Sequence, residues 1–286
     1  MERTSITDDL AQAESLLIEG QNEEAAALLA RLAEDAEEYV DRNCPTTSEL
    51  QWFSFPTIFE RLAYRRVEGD PRELRDIGEP LDRLYADLAL AHVRLGDYEA
   101  ASAALRQAVR WNPMGCGYRL DLAELYLTNG DVNEYLALSY SVFERASDAR
   151  HLVRAFCNFA NYFAQTGQPR QAAAALRCAR RLELDDPVLA RALGEAAGTD
   201  HDPDLLTDEQ ASEVLSAEGL PDGANAEVAV CLLMCASDAA AAGMRDLATT
   251  LTLRARDLVG TQAATALIEL IHEADAAPGE PAGEGE

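Results

Sequence analysis

The sequence predicts an all-α protein built as a stack of helical hairpins, and three observations support this fold class. Glycines in turn-like contexts recur as Gly96, Gly130 and Gly167, at intervals of 34 and then 37 residues. Between these glycines, apolar residues follow the period of about 3.6 residues that places them on one face of a helix. Much of the apolar share of 48% is alanine, which has the highest intrinsic helix propensity.

The N-terminal segment, 1–42, is predicted to form one helical hairpin that turns at Gly20. Ala13 lies on the first helix, and Ala25 and Leu29 lie on the second, at the spacings expected of residues that pack together. The segment therefore has the same organisation as the stronger hairpins that follow it.

The connector, 43–79, departs from this pattern because prolines interrupt it. We expect short helices over 57–67 and 71–77, the second beginning at Asp70-Pro71, since proline favours the first turn of a helix. Its aromatic residues are expected to pack between the N-terminal hairpin and the next one, and an exposed docking surface is the alternative. These aromatic residues are Trp52, Phe53, Phe55, Phe59 and Tyr64.

Three hairpins are predicted within 80–187, each with a repeated order of large and small residues. In the third hairpin the first helix carries Phe156, Phe159, Ala160 and Phe163, and the second carries Ala172, Leu176 and Ala179. The first hairpin supplies Tyr85, Leu88, Ala89 and His92, then Ala101, Leu105, Ala108 and Pro113. The second supplies Leu122, Ala123 and Tyr126, with Tyr135 where a small residue belongs. This order resembles that of tetratricopeptide repeats (TPRs), so the fold class becomes a TPR-like helical-hairpin solenoid.

The C-terminal segment, 188–275, is predicted to be helical throughout. Thr207 and Gln210 form a possible capping box for a helix over 208–218. A weaker TPR-like hairpin is expected over 224–260, turning at Gly243, and a last helix over 261–275 would cap the stack. The remaining residues, 276–286, lack apolar periodicity and are predicted to form a disordered acidic tail.

The resemblance to TPR proteins implies a function, because such proteins bind peptides or protein surfaces in a concave groove. The first helix of each hairpin lines that groove. The residues expected to face it are Arg83, Leu90, Arg94, Leu127, Arg154, Asn158, Asn161 and Gln165, with Val93, Leu120 and Glu124 beside them.

The sequence leaves two questions about this groove open: what its polar residues do, and whether it is accessible. The polar residues from Arg154 to Gln165 could grip an acidic group of a partner, or they could form an ordinary solvated face. The groove could be open, or the C-terminal helices could fill it. A carboxylate clamp of the kind that binds chaperone tails is not expected, because Asp121 falls on one of its polar slots and would repel a ligand carboxylate.

Charge and composition exclude several classes of function. The formal net charge is −27, and the 24 basic residues are all arginine. A chain without lysine has no P-loop lysine and no Schiff-base chemistry. Its negative field would repel nucleic acid and anionic membranes. With no signal peptide or membrane-spanning run evident, and six scattered cysteines, we expect a cytoplasmic protein with reduced thiols.

No motif for catalysis, metal binding or cofactor binding emerges from the sequence. Cys231 and Cys235 lie four residues apart, but they lack the paired spacing typical of zinc sites, so core packing is the better interpretation. The sequence therefore predicts a non-enzymatic intracellular adaptor, monomeric, with a protein or peptide partner whose identity it does not specify. The alternative is a structural protein that self-associates through its helical surface.

Overall fold

The computed structural model describes residues 6–276, and it describes side chains as far as Ile271. The described chain is dominated by α-helices, as predicted, and the hairpins stack into a solenoid. In chain order the helices are α1 (Thr7–Ile18), α2 (Asn22–Asn43), α3 (Ile58–Glu68), α4 (Leu81–Leu95), α5 (Tyr98–Trp111), α6 (Cys116–Thr128), α7 (Val132–Arg145), α8 (Ala149–Gln165), α9 (Pro169–Arg180), α10 (Pro187–Ala196), α11 (Asp208–Ala217), α12 (Ala226–Ala241), α13 (Arg245–Val259) and α14 (Thr261–Ala276). The strands are β1 (Leu50–Phe53) and β2 (Glu73–Asp76).

The predicted hairpin turns lie where the glycines indicated. Gly96 has a φ of 79°, and its backbone N–H donates to the carbonyl of Val93, which closes the last turn of α4. Glycine adopts this left-handed conformation without the penalty that a Cβ would impose. The same positive φ occurs at Gly20, Gly130, Gly167 and Gly243.

Successive hairpins stack by packing the second helix of one against the first helix of the next. Helix α2 packs on α4, α5 on α6, and α7 on α8. Ala89, Ala101, Ala108 and Ala172 are all buried, which confirms the predicted positions of small residues in the packed interior. Alanine at these points lets the helix axes approach without overpacking.

A two-stranded parallel sheet corrects the sequence prediction for the connector. Helix α3 confirms the predicted helix over 57–67, and Thr57 and Glu60 form a capping box at its start. The helix predicted over 71–77 is wrong: β2 lies there and pairs with β1, Leu50 opposite Glu73. Leu74 alone of the β2 residues is buried, and this single inward side chain suits an extended strand.

Four of the five connector aromatics are buried away from the predicted junction, whereas Trp52 is half-buried and packs there, against the core of the N-terminal hairpin and the first repeat. The N-terminal hairpin packs directly on α4, so the chain between them loops out of the stack. Phe53, Phe55, Phe59 and Tyr64 instead join a core formed with α6 to α9 and the C-terminal helices. Helix α3 packs on α12, and Arg254 of α13 lies over the Phe59 ring at 5.3 Å.

The C-terminal helices pack on the last repeat and on the connector. Helix α10 packs on α8 and α9, α11 packs on α9, and α12 pairs with α13. The predicted capping box is present, with the Thr207 hydroxyl accepting from the Gln210 backbone N–H. Cys231 and Cys235 are buried in the core. No helix within 6–276 has both the length and the hydropathy to cross a bilayer. Apart from Ala276, the predicted tail lies outside the described residues.

Candidate binding groove

The first helices of the N-terminal and repeat hairpins, α1, α4, α6 and α8, form one side of the stack. Helix α1 contacts α4, and α6 contacts α8, while the second helices of the hairpins lie behind them. Residues of α4, α6 and α8 that point away from the second helices therefore line a common surface, which we call the groove.

The apolar part of the groove lies on α4 and α6. Leu90 is 40% exposed, Val93 is 37% exposed and Leu127 is 36% exposed, so all three side chains are open to solvent. Leu120, which the sequence analysis also placed in the groove, is fully buried in the core. It lies one helical turn before Glu124, whose side chain is exposed.

Both predicted groove arginines of α4 are bound to the N-terminal hairpin. The Nε of Arg83 donates to Oε1 of Glu14 at 2.6 Å. The Nη1 of Arg94 donates to the backbone carbonyl of Leu17 and reaches Oδ1 of Asn22 at 3.4 Å. These guanidinium groups hold α1 against α4, and a ligand would have to compete with those contacts.

A carboxyl pair lies beside the Arg83 ion pair. Asp87 follows Arg83 by one turn of α4, and its Oδ2 is buried without a hydrogen-bond partner among the described residues. Burial, and then the charge of Glu14, raise the pKa of Asp87 to about 7, and Arg83 only partly opposes them. No local sequence pattern predicts this carboxyl pair. The i, i+4 spacing of Arg83 and Asp87 was visible, but Glu14 reaches them only through the packing of α1.

The polar side chains of α8 do not all share the groove. Asn161 and Gln165 are exposed, as the groove hypothesis requires. Asn158 is buried, and its Nδ2 donates to Oγ of Ser139 on α7 at 2.9 Å. Asn158 therefore ties α8 to α7 inside the stack. The prediction that it faces the groove is wrong, because its side chain is buried.

Arg154 has an internal partner. Its Nη2 lies 2.9 Å from Oδ1 of Asp121 on α6, which joins the two helices across the groove. The Asp121 side chain is about half exposed, so this is a solvent-accessible ion pair of the kind that contributes about 0–1 kcal/mol. A ligand could displace it at modest cost.

The groove is open over α4 and α6 and partly covered at α8. Helix α10 packs on α8, and Cys157, on the groove side of α8, is buried. The charged groups that act on the Cys157 thiol include Asp186 and Arg191, at the start of α10 and within it. Helix α10 thus covers part of α8 and leaves Asn161 and Gln165, and the exposed leucines of α4 and α6, accessible.

A comparison with protein families supports the relationship that the residue pattern suggested. The family model described as a tetratricopeptide repeat matches residues 82–113, which span α4 and α5. These residues of the chain form a tetratricopeptide repeat. The match covers one TPR unit of the stack, the one with the most complete pattern. No curated protein matches the chain.

Proposed function

We propose that this TPR protein is an adaptor that binds a peptide or protein surface in the open part of its groove, over α4 and α6. The observation that carries the proposal is the exposure of Leu90, Val93 and Leu127 on the first helices of two adjacent repeats. Fully burying an exposed side chain of this kind contributes about 1.5–3 kcal/mol, so covering the exposed fraction of each of these three contributes roughly 0.6–1.2 kcal/mol. Together they would supply about 2–3 kcal/mol, and further contacts along the groove would supply the rest of a micromolar affinity.

The polar residues favour a particular mode of binding. Asn161 and Gln165 are exposed amides, which can pair with the backbone of an extended peptide. Arg83 and Arg154 are engaged with Glu14 and Asp121, so they are less suited to grip an acidic group than the sequence alone implied. We therefore propose binding through apolar side chains and backbone amides, without catalysis.

The test compares capture by three forms of the chain. Leu90→Asp with Leu127→Asp introduces charge into the groove, whereas Leu205→Asp places the same change on an exposed leucine outside it. Immobilised wild type, groove variant and control are exposed to lysate of the native cell, and captured proteins are quantified by mass spectrometry. A partner retained by wild type and control but lost with the groove variant supports the proposal. Equal capture by all three forms contradicts it.

Self-association is the second candidate, because the same exposed leucines could meet a second copy of the chain. Light scattering at micromolar concentration separates the two functions. An adaptor should have the mass of a monomer, 31.0 kDa. A dimer mass that the groove variant reduces to a monomer would favour the structural role.

A further inference from the structure

The turns of the first three hairpins lie along one edge of the stack, beyond the C-terminal ends of the first helices α1, α4 and α6. The Arg94 side chain links the end of α4 to the α1–α2 turn through its contact with Leu17. A cavity of about 280 Å³ lies between Leu95 and residues 20–24. Arg106 of α5 joins this hairpin to the next one, since its Nη1 lies 3.4 Å from the hydroxyl of Tyr126 near the end of α6.

Each of these three turns exposes a large apolar side chain. Ile18 is 85% exposed at the end of α1, and Leu95 and Tyr98 are exposed on either side of Gly96. Val132 is exposed at the start of α7. A single exposed apolar residue needs no explanation, but these residues recur at the turns of three successive hairpins. We call these four residues the turn-edge patch.

The patch is surrounded by negative charge. The segments 18–24, 94–99 and 127–134 contain seven carboxylates and one arginine. Asp97 and Asp131 accept backbone N–H groups and so cap α5 and α7. The others are exposed and form no ion pair within the described part of the chain; they are Glu19, Glu23, Glu24, Glu99 and Glu134.

The turn of the α12–α13 hairpin offers a contrast. Met244 and Leu247 are exposed there too, but residues 241–247 contain one arginine and one carboxylate. Apolar exposure at a turn is thus shared with the C-terminal hairpin, whereas the excess of unpaired carboxylates belongs to the first three hairpins.

We propose that the turn-edge patch binds a cationic segment of a partner protein that carries apolar side chains among its lysines or arginines. Apolar side chains of the partner cover Ile18, Leu95, Tyr98 and Val132, and its cations pair with the surrounding glutamates. Opposite charges speed association and select the partner. The surface goes beyond the groove proposed above, since it lies on the turns and requires a basic ligand.

The negative charge around the turn-edge patch argues against two other occupants, the C-terminal residues of this chain and a second copy of it. The chain's own C-terminal residues, 276–286, contain three glutamates and no basic residue, so the patch would repel them. A second copy would present the same acidic patch on a chain of net charge −27. Like charges placed opposite one another disfavour such a contact.

Two synthetic probes of equal length and charge test the proposal by fluorescence anisotropy with the full chain. One alternates lysine with leucine, and the other alternates lysine with serine. We expect the leucine probe to bind at least tenfold more tightly. Leu95→Ser with Tyr98→Ser should weaken its binding by about tenfold, or about 1.4 kcal/mol. The matched control, Met244→Ser with Leu247→Ser, should leave its binding unchanged.

A second pair of variants tests the charge. Glu23→Gln with Glu24→Gln should weaken binding of both probes and reduce its dependence on salt, while Glu195→Gln with Glu213→Gln should not. All four glutamates are exposed, so these variants should fold, and they test the proposal even if Leu95→Ser with Tyr98→Ser does not fold. Equal affinity of the wild-type chain for the two probes would overturn the proposal. So would a loss of probe affinity in the control variants as large as that in the patch variants. The groove variant keeps all four patch residues and adds negative charge, so it should bind the leucine probe at least as tightly as wild type, which distinguishes this result from the proposed function.

Discussion

Replacing Asp87 with asparagine should make the protein more stable at alkaline pH and leave its stability near pH 4 almost unchanged. Burial beside Glu14 raises the pKa of Asp87 from 3.8 to about 7, so the folded state binds this proton more tightly than the unfolded chain. The resulting stabilisation is complete below about pH 4 and is lost as the pH rises through about 7. Asparagine has nearly the same shape, but it never incurs the cost of a buried charge.

The magnitude follows from the pKa. A rise of this size corresponds to about 4 kcal/mol at 1.36 kcal/mol per pH unit. Asp87 is only partly buried, and solvent screening reduces the effect, so we expect about 2 kcal/mol. Asp87→Asn should therefore unfold at a higher denaturant concentration than wild type at pH 8, and at nearly the same concentration at pH 4.

Urea unfolding followed by circular dichroism at pH 4, 6 and 8 measures this difference directly. Comparing the two proteins at each pH removes the contribution of all other titrating groups. Asp121→Asn is the matched control, because it removes a carboxylate whose partner, Arg154, pairs with it in solvent. The control should be slightly less stable than wild type at pH 8. A stability difference for Asp87→Asn that does not change with pH would refute the reasoning.

Two further predictions test the packing of the stack. Ala101→Leu should overpack a fully buried helix contact and cost about 1–3 kcal/mol, while Ala103→Leu, the same change on the exposed face of α5, should cost much less. An unchanged denaturant midpoint for Ala101→Leu would contradict the repeat packing described here. Asn158→Ala should leave the buried Ser139 hydroxyl without its side-chain donor and cost about 1–3 kcal/mol. Adding Ser139→Ala should recover part of that loss, and full additivity of the two changes would argue against the hydrogen bond.

The features that the sequence determined are those set by local chemistry. Gly96, Gly130 and Gly167 indicated the turns because a left-handed residue at the end of a helix favours glycine. The spacing of Phe156, Phe159 and Phe163 indicated a packed face because an α-helix returns every three to four residues. These relations act over a few residues, so they can be read without knowing the partner helices.

Periodicity could not settle which borderline residues of a helix are covered. At about 100° per residue, Asn161 and Gln165 lie within about 20° of Arg154 around α8, and Asn158 lies about 40° away. That phase places Asn158 at the margin of the exposed face. The position of α7, with Ser139 opposite, decides that it is buried.

Tertiary structure alone decided the contacts between distant segments. Strands β1 and β2 are short and pair across the intervening α3, so neither has a strong local signal, and Asp70-Pro71 favoured a helix in isolation. Glu14 meets Asp87 because α1 packs on α4, and burial first, and then this nearby charge, raise the pKa of Asp87. Local patterns specify helices and their turns, whereas burial, ion pairing and proton affinity depend on which helices come together.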